Sequence, residues 1–284
     1  MTDKELLELK KLSAEIRLET LDMFKWRGYG HLGGAMSIVE LLSVLYGKQM
    51  KYRPQDPCWI DRDYLILSKG HAGPALYSVL AIKGFFDRSW LHTMNDGGTR
   101  LPSHVDRLLT PGVDMTCGSL GQGASVGAGI AWTFRHEKKD QRVYVVIGDG
   151  ELNEGQNWEA FQYLAHNKLY ECIIIVDCNK KQLDGYTDEI LKPFDLAEKI
   201  RAFGFHVQSV DGSDESAISD AIDKAKTIRE QAICIVLNTV KGQGVRYYEE
   251  MYANHCPKFG EKEAPILDKR IAELKAFIEE GKAL

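Results

Sequence analysis

Four stretches of the chain are apolar without interruption, rich in β-branched residues and closed by a glycine or polar turn. They are 64–70 (YLILSKG), 143–150 (VYVVIGDG), 172–179 (CIIIVDCN) and 233–242 (ICIVLNTVKG). Continuous rather than alternating apolar character predicts strands covered on both faces, as in a parallel sheet. Between them the spacing lengthens to that of helices. Residues 4–25 carry a stripe at Leu9, Leu12, Ile16 and Met23. Ile218, Ala221, Ile222 and Ala225 follow the capping pair Ser213-Asp214, and Leu267, Ile271, Leu274 and Ile278 follow Pro265. Strands alternating with helices predict an α/β fold, a doubly wound, mostly parallel sheet with helices on both faces. With no internal repeat, linker or break in composition, residues 1–284 are expected to form one domain. Ligands of such folds gather at the carboxyl ends of the strands.

Composition narrows this only a little. A 44% hydrophobic and 27% charged chain of net charge −5 is ordinary for a globular protein, and no Lys/Arg run offers a basic stripe to nucleic acid. The first twenty residues are charged throughout, unlike a signal peptide, and no stretch is apolar for long enough to span a bilayer. Six cysteines without a CxxC pair read as reduced thiols of a cytoplasmic protein, with no structural zinc or disulfide framework expected.

The chemistry sits where two strands end. VYVVI runs into Gly148-Asp149-Gly150, then ELNEG and a helical stretch, and CIIIVD runs into Cys178-Asn179 with Lys181 two residues on. Mg²⁺ takes six oxygens and shares them between a few protein groups and phosphates. Asp149 offers a carboxylate, Asn179 an amide oxygen and Lys181 its carbonyl. The flanking glycines let backbone approach phosphate, and the next helix presents a positive end. A Gly-Asp-Gly turn by itself also closes strands that bind nothing. An Asn ending the neighbouring strand is what turns it into a metal–diphosphate pattern, one that resembles the thiamine diphosphate signature.

GYGHLGGAMSIVELLSVLYG (28–47), DRDYLILSKGHAGPALYSVL (61–80) and CGSLGQGASVGAGIA (117–131) resemble, in order and spacing, the opening of transketolase. The resemblance covers nearly the whole chain and implies the diphosphate-binding, N-terminal domain of that family. It implies that Asp149, Asn179 and the Lys181 carbonyl hold the metal, Mg²⁺ with Ca²⁺ or Mn²⁺ as alternatives. Gly148, Gly150, Glu151 and the turn Gly118, Ser119, Leu120 would meet thiamine diphosphate, Leu120 beside its rings. His31, His71, His104 and His255 would line the cleft over the thiazolium. Of these, His71 and His255 would stand near the cofactor, His31 and His255 would transfer protons at sugar hydroxyls, and His104 would bind the transferred two-carbon group. Imidazole suits such work because it titrates near neutral pH. Glu154 resembles the buried carboxylate that links paired active sites across a subunit interface. A lone His beside glycines also reads as a cap, and His92, His136, His166 and His206 match no motif. Lys241 reads equally as a phosphate contact, a residue shaping the loop to His255, or a solvated side chain. Asp177 reads as orienting a neighbouring loop.

Two departures stand out. The family's GHPG is Gly30-His31-Leu32-Gly33 here, without the stiffening proline, and its GHP is Pro102-Ser103-His104-Val105.

In transketolase the pyrimidine-binding domain and its cofactor-activating Glu follow the region matched here. The expectation is therefore a split enzyme. A second chain would carry that domain and the activating Glu, with two copies of each chain around a two-fold axis and active sites between unlike chains. Its reaction would be ketol transfer from a ketose (phosphate) to an aldose (phosphate). Rival readings are a 1-deoxyxylulose-5-phosphate synthase-like subunit, the α subunit of a 2-oxo-acid dehydrogenase, and a non-catalytic cofactor-binding module.

Overall fold

The computed structural model of the chain describes residues 1–280. Helix α1 (Asp3–Arg27) opens on a reciprocal cap. The Glu5 backbone N–H donates to Thr2 Oγ1 at 3.3 Å, and Glu5 Oε2 accepts from the Thr2 backbone N–H at 2.7 Å. It ends at Gly28, whose φ of 80° lets its N–H reach back to the Phe24 carbonyl at 2.8 Å. The expected stripe Leu9, Leu12, Ile16 and Met23 is buried.

Short helices α2 (Leu32–Met36) and α3 (Val39–Val44) follow, then strand β1 (Tyr64–Leu67) and α4 (Gly73–Ile82). The second half alternates more regularly. It runs α5 (Gln122–His136), β2 (Val143–Gly148), α6 (Gly155–His166), β3 (Cys172–Cys178), α7 (Thr187–Ile190) and α8 (Leu196–Ala202). Strand β4 (His206–Asp211), α9 (Glu215–Ala225), β5 (Ile233–Asn238), α10 (Arg246–Glu250) and α11 (Ala264–Glu280) complete it.

All five strands are parallel, in the order β1-β2-β3-β5-β4. Helices α1, α3, α4, α9 and α11 form one layer, and α5, α6 and α8 lie on the other face. The four apolar runs are the four adjacent strands, with Ile173–Val176 and Val143–Ile147 almost wholly buried, as continuous apolar runs require. The fifth strand has no such run. HVQSVD lies at the sheet edge, half-covered, so its polar Gln208 and Ser209 cost little, and hydrophobic continuity does not mark it. Helix α9 buries Ile218, Ala221, Ile222 and Ala225 behind its Asp214 cap as expected. In α11 the stripe needs one correction: Phe277, not Ile278, occupies the fourth buried position, and Ile278 packs at its margin.

Two consequences position the site. The carboxyl ends of β1, β2, β3 and β5 all open on one side, so the turns after them converge. Among the described residues no helix is long and apolar enough to cross a membrane.

Candidate functional site

The turns after β1, β2, β3 and β5 enclose a cleft of about 340 Å³ lined by His71, His104, Gly118, Leu120, Asp149, Asn179, Lys181, Lys241 and His255 among others. Its floor is the β2–β3 edge. Asp149 is buried, with Oδ1 accepting from the Gly150 backbone N–H at 2.9 Å and Oδ2 from the Lys180 backbone N–H at 2.6 Å. Gly150 has no room for a side chain, because a Cβ there would stand 2.8 Å from Gln182 Cβ on the neighbouring turn. Burial, then the nearby Asp177 carboxylate, pushes the Asp149 carboxyl up to about 7. A divalent cation would reverse this by returning Asp149 to its charged form.

Asn179 donates Nδ2 to Asp177 Oδ2 at 2.8 Å, which fixes the amide and leaves Oδ1 as its acceptor, met by the Lys181 backbone N–H at 3.1 Å. The Lys181 side chain turns away, donating to the Glu249 and Met251 carbonyls at 3.3 and 2.9 Å, so only its backbone belongs to the floor. One carboxylate, one oriented amide oxygen and one carbonyl make a sparse, all-oxygen set, the kind Mg²⁺ completes with phosphate and water. Among the described residues no group of three or more His, Cys, Asp or Glu side chains could hold a metal, so a cation here depends on this mixed set.

Asp177 organises the floor from below. Its carboxylate, wholly buried, is contacted by Lys69 Nζ and Thr239 Oγ1, and accepts from Ser37 Oγ at 2.7 Å and from Asn179. Burial would raise its pKa, but Lys69 and these hydrogen bonds hold it below the ordinary carboxylate value. Lys69 comes from the turn after β1 and is as buried as its partner. Nothing in the sequence marked Lys69, whose only signal was its place just past a strand end; Asp177 was marked, and its partner decides what it does.

Glu151 is also buried, and both its carboxylate oxygens accept hydrogen bonds inside the chain. Oε1 takes Ser68 Oγ and the Gly121 N–H at 2.9 Å, and Oε2 takes the Gly148 N–H at 3.1 Å. Its carboxylate therefore clamps the turns around the cleft that it also lines. Gly118, Ser119 and Leu120 form the loop entering α5, and a Cβ on Gly118 would stand 3.5 Å from His104 Cβ. Glu154 is expected to meet a second subunit. It stands at the N-cap position of α6, lines the cleft and packs its Cβ against Gly121, and it is exposed in this chain.

The wall is made of imidazoles from four distant segments. His31 sits within 5.9 Å of His71 and 5.2 Å of both His104 and His255, ring centre to ring centre, and His71 lies 4.9 Å from His255. All four are pushed toward the neutral form. Burial, then the neighbouring His104 and Lys241, brings His31 down to about 4. Burial, then Lys241, brings His255 down to about 3. Burial and Lys69 hold His71 well below its ordinary value, and burial lowers His104.

Local contacts fix each ring. Leu32, where the family pattern has proline, is fully buried, and its N–H donates to the Gly30 carbonyl at 2.8 Å, a bond proline cannot make. The turn bearing His31 is thus held by hydrogen bonding and burial instead of a ring. Gly34 lies against His71, leaving 2.8 Å where a Cβ would meet the imidazole. Ser103 Oγ donates to Asn95 Oδ1 at 3.0 Å, and the Val105 carbonyl accepts from the Cys117 N–H at 3.0 Å, bracketing His104. Asn254, also unmarked by the sequence, donates to the Lys241 and Tyr248 carbonyls at 2.8 and 2.7 Å and holds the loop to His255. The remaining histidines stay outside: His92 stacks on Trp26 and pairs with Asp22, and His136 packs on Trp132.

Residues 9–274 match the family described as transketolase, thiamine diphosphate binding domain. The chain is 45% identical over 256 residues to the 6-deoxy-6-sulfo-D-fructose transketolase subunit SqwG of Clostridium sp. (strain MSTE9), covering 90% of this chain and 93% of that protein. It is 37% identical to a subunit of the apulose-4-phosphate transketolase of Actinobacillus succinogenes, covering 78% and 79% of the two. Among solved structures it is similar to the transketolase of Campylobacter jejuni, with a TM-score of 0.84 at 26% identity over 98% of this chain. The transketolase of Pichia stipitis in complex with sedoheptulose-7-phosphate gives 0.83 at 27% identity over 96%. The chain spans 47% and 45% of those two longer proteins.

Proposed function

The chain belongs to the transketolase family, as its thiamine diphosphate binding domain, and from that premise we propose that it is the diphosphate-binding subunit of a two-chain transketolase. It acts as one domain that holds thiamine diphosphate and Mg²⁺ and transfers a two-carbon ketol group from a ketose to an aldose. The observation that carries this reading is the floor of Asp149, Asn179 and the Lys181 carbonyl beneath four neutral imidazoles.

In this reading Asp149, Asn179 and the Lys181 carbonyl hold the cation. The backbone around Gly148, Gly150, Gly118, Ser119 and Leu120 cradles the cofactor, and Glu151 fixes that backbone. Bound thiamine diphosphate supplies the electron sink for the two-carbon fragment. His104 holds that fragment's hydroxyl, and His31 and His255 manage protons at the sugar hydroxyls. Neutral rings suit this, because each offers one donor and one acceptor nitrogen.

A second polypeptide completes the site. Two relatives covered over most of their length carry the word subunit in their names, which supports such a partner. Exposed apolar side chains support it too: Leu183, which lines the cleft, and Leu191 and Phe194 farther along the same segment are 65%, 59% and 71% exposed. Glu154, exposed at the cleft in this chain, becomes buried on assembly. We place this assembly, with two copies of each chain, in the cytoplasm, a location supported by six free thiols. The donor is a ketose ending in an anionic group. The relatives named for 6-deoxy-6-sulfo-D-fructose and apulose-4-phosphate make a sulfonated and a phosphorylated ketose the first two to test.

The test mixes the chain with the product of a neighbouring gene, thiamine diphosphate, Mg²⁺, each donor and an aldose phosphate. Turnover only in the mixture supports the reading. Turnover by this chain alone, or metal-independent cofactor binding, would overturn it.

A further inference from the structure

Lys241 is an unusual neighbour for a proton-handling imidazole. It leaves the end of β5, is 2% exposed, and brings its ammonium to three acceptors at once. Nζ lies 3.3 Å from the Lys181 carbonyl, 3.1 Å from the Gln182 carbonyl and 3.1 Å from His255 Nδ1. Its position is fixed by packing: a Cβ on Gly33 would stand 2.9 Å from Lys241 Cγ, and the Lys241 carbonyl is held by Asn254 Nδ2 at 2.8 Å.

An ammonium has three N–H donors and no acceptor, whereas carbonyl oxygens only accept. Two donors therefore go to the carbonyls, and the third must go to His255 Nδ1, which accepts it only if that nitrogen carries no proton. In a neutral imidazole the ring proton then sits on Nε2, on the side of the ring away from the ammonium, in a residue that lines the cleft. We infer that Lys241 is a positioning residue that fixes His255 in its Nε2–H form, so that His255 meets the sugar as a hydrogen-bond donor and leaves proton acceptance to His31.

This separates two histidines that the cleft geometry otherwise treats alike. His31 feels the Lys241 charge, but among the described residues no hydrogen bond from it to a ring nitrogen fixes its tautomer. His255 has one. The depressed pKa of His255, set first by burial and then by Lys241, keeps the ring neutral, the state in which the tautomer matters. The same ammonium touches the Lys181 carbonyl, so the turn proposed to hold the cation and the ring facing the sugar share one anchor. Only the sugar's place in the cleft rests on the function proposed above; the tautomer does not.

The test begins with no ligand. In the full chain labelled with 15N-histidine, the His255 signals, assigned by their loss in His255→Gln, should show an unprotonated Nδ1 and a protonated Nε2. Lys241→Met, which keeps the stem but removes all three donors, should abolish that preference and give mixed tautomers. A protonated Nδ1 in the native chain, or an unchanged tautomer in Lys241→Met, would overturn the inference. Because the native spectrum needs no substitution, it can refute the idea even if the variant folds poorly. In the assembled enzyme Lys241→Met should lower kcat by about 10²-fold with little change in the donor KM. A KM effect without a kcat effect would reject the donor role. The expected tautomer with no turnover from any partner would instead count against the transketolase reading alone.

Discussion

The floor and the wall of the cleft are held by different physics. On the floor every functional oxygen comes from the end of a central strand, within a few residues of backbone whose hydrogen bonds are already made by the sheet. Asp149, Asn179 and Asp177 are buried, and each is fixed by two or more hydrogen bonds or ion contacts. The wall has no such frame. Four imidazoles from residues 31, 71, 104 and 255 meet mainly ring to ring, and among the described residues His255 alone of the four has a hydrogen bond to a ring nitrogen. The floor is thus fixed by hydrogen bonds and ion contacts, which suits the proposed metal seat, and the wall is left as neutral rings, which suits the proposed proton transfer. A rigid anion and metal seat needs preorganised charge, while proton handling needs neutral rings whose partners arrive with the substrate.

The comparison can be broken at either side. The largest expected effect is at the floor: Asp149→Ala should abolish metal-dependent thiamine diphosphate binding in calorimetry while circular dichroism stays unchanged. If binding persists unaltered, the floor does not hold the cation. Next comes the buried pair. Lys69→Met leaves the Asp177 carboxylate buried without its cation and should cost about 3–5 kcal/mol in urea unfolding. A loss near that expected of an ordinary surface change, within about 0.5 kcal/mol, would show that the floor does not depend on the pair.

The wall should respond in the opposite way. His31→Gln should leave cofactor binding and stability nearly intact, yet lower turnover of the assembled enzyme by about 10²-fold or more. A variant that loses cofactor affinity instead would make His31 part of the floor. The smallest effect is one of acidity. His31 and His255 titrate at about 4 and about 3 in the folded chain, against 6.5 for an unperturbed imidazole. Below about 6.5 the unfolded chain therefore binds protons that the folded chain refuses, and stability falls as pH drops from there. Asp149, raised to about 7, works in the other direction, gaining stability as pH falls through that value. The melting temperature of His255→Gln should accordingly decline less between pH 6.5 and 5 than that of the native chain. Parallel declines would show that the wall is not held neutral by the fold.

Legibility followed the same division. The floor could be read because Asp149 and Asn179 each end an apolar run, and parallel neighbours in register bring such ends together; the pairing of Gly148 with Asp177 does this here. The histidines were found only through family resemblance, since nothing local distinguishes His31 or His104 from a capping residue. Lys69 and Asn254 went unread because their significance lies in partners 108 residues away across the sheet, as for Lys69, or in holding a loop, as for Asn254. Strand β4 was missed because an edge strand need not be apolar. Glu154 was expected in a buried place that this chain alone does not provide.

What the sequence by itself determined is the parallel sheet, the amphipathic helices and the metal–diphosphate pattern. Each depends on short-range periodicity or on residues next to a strand end, and burial on both faces admits few alternatives for such runs. Tertiary structure alone decided which charges compensate one another, that Glu151 ties together the turns around the cleft, and that His255 shares its Nδ1 with an ammonium. Those outcomes depend on distances between segments far apart in the chain, which packing sets to within an ångström and no local pattern records.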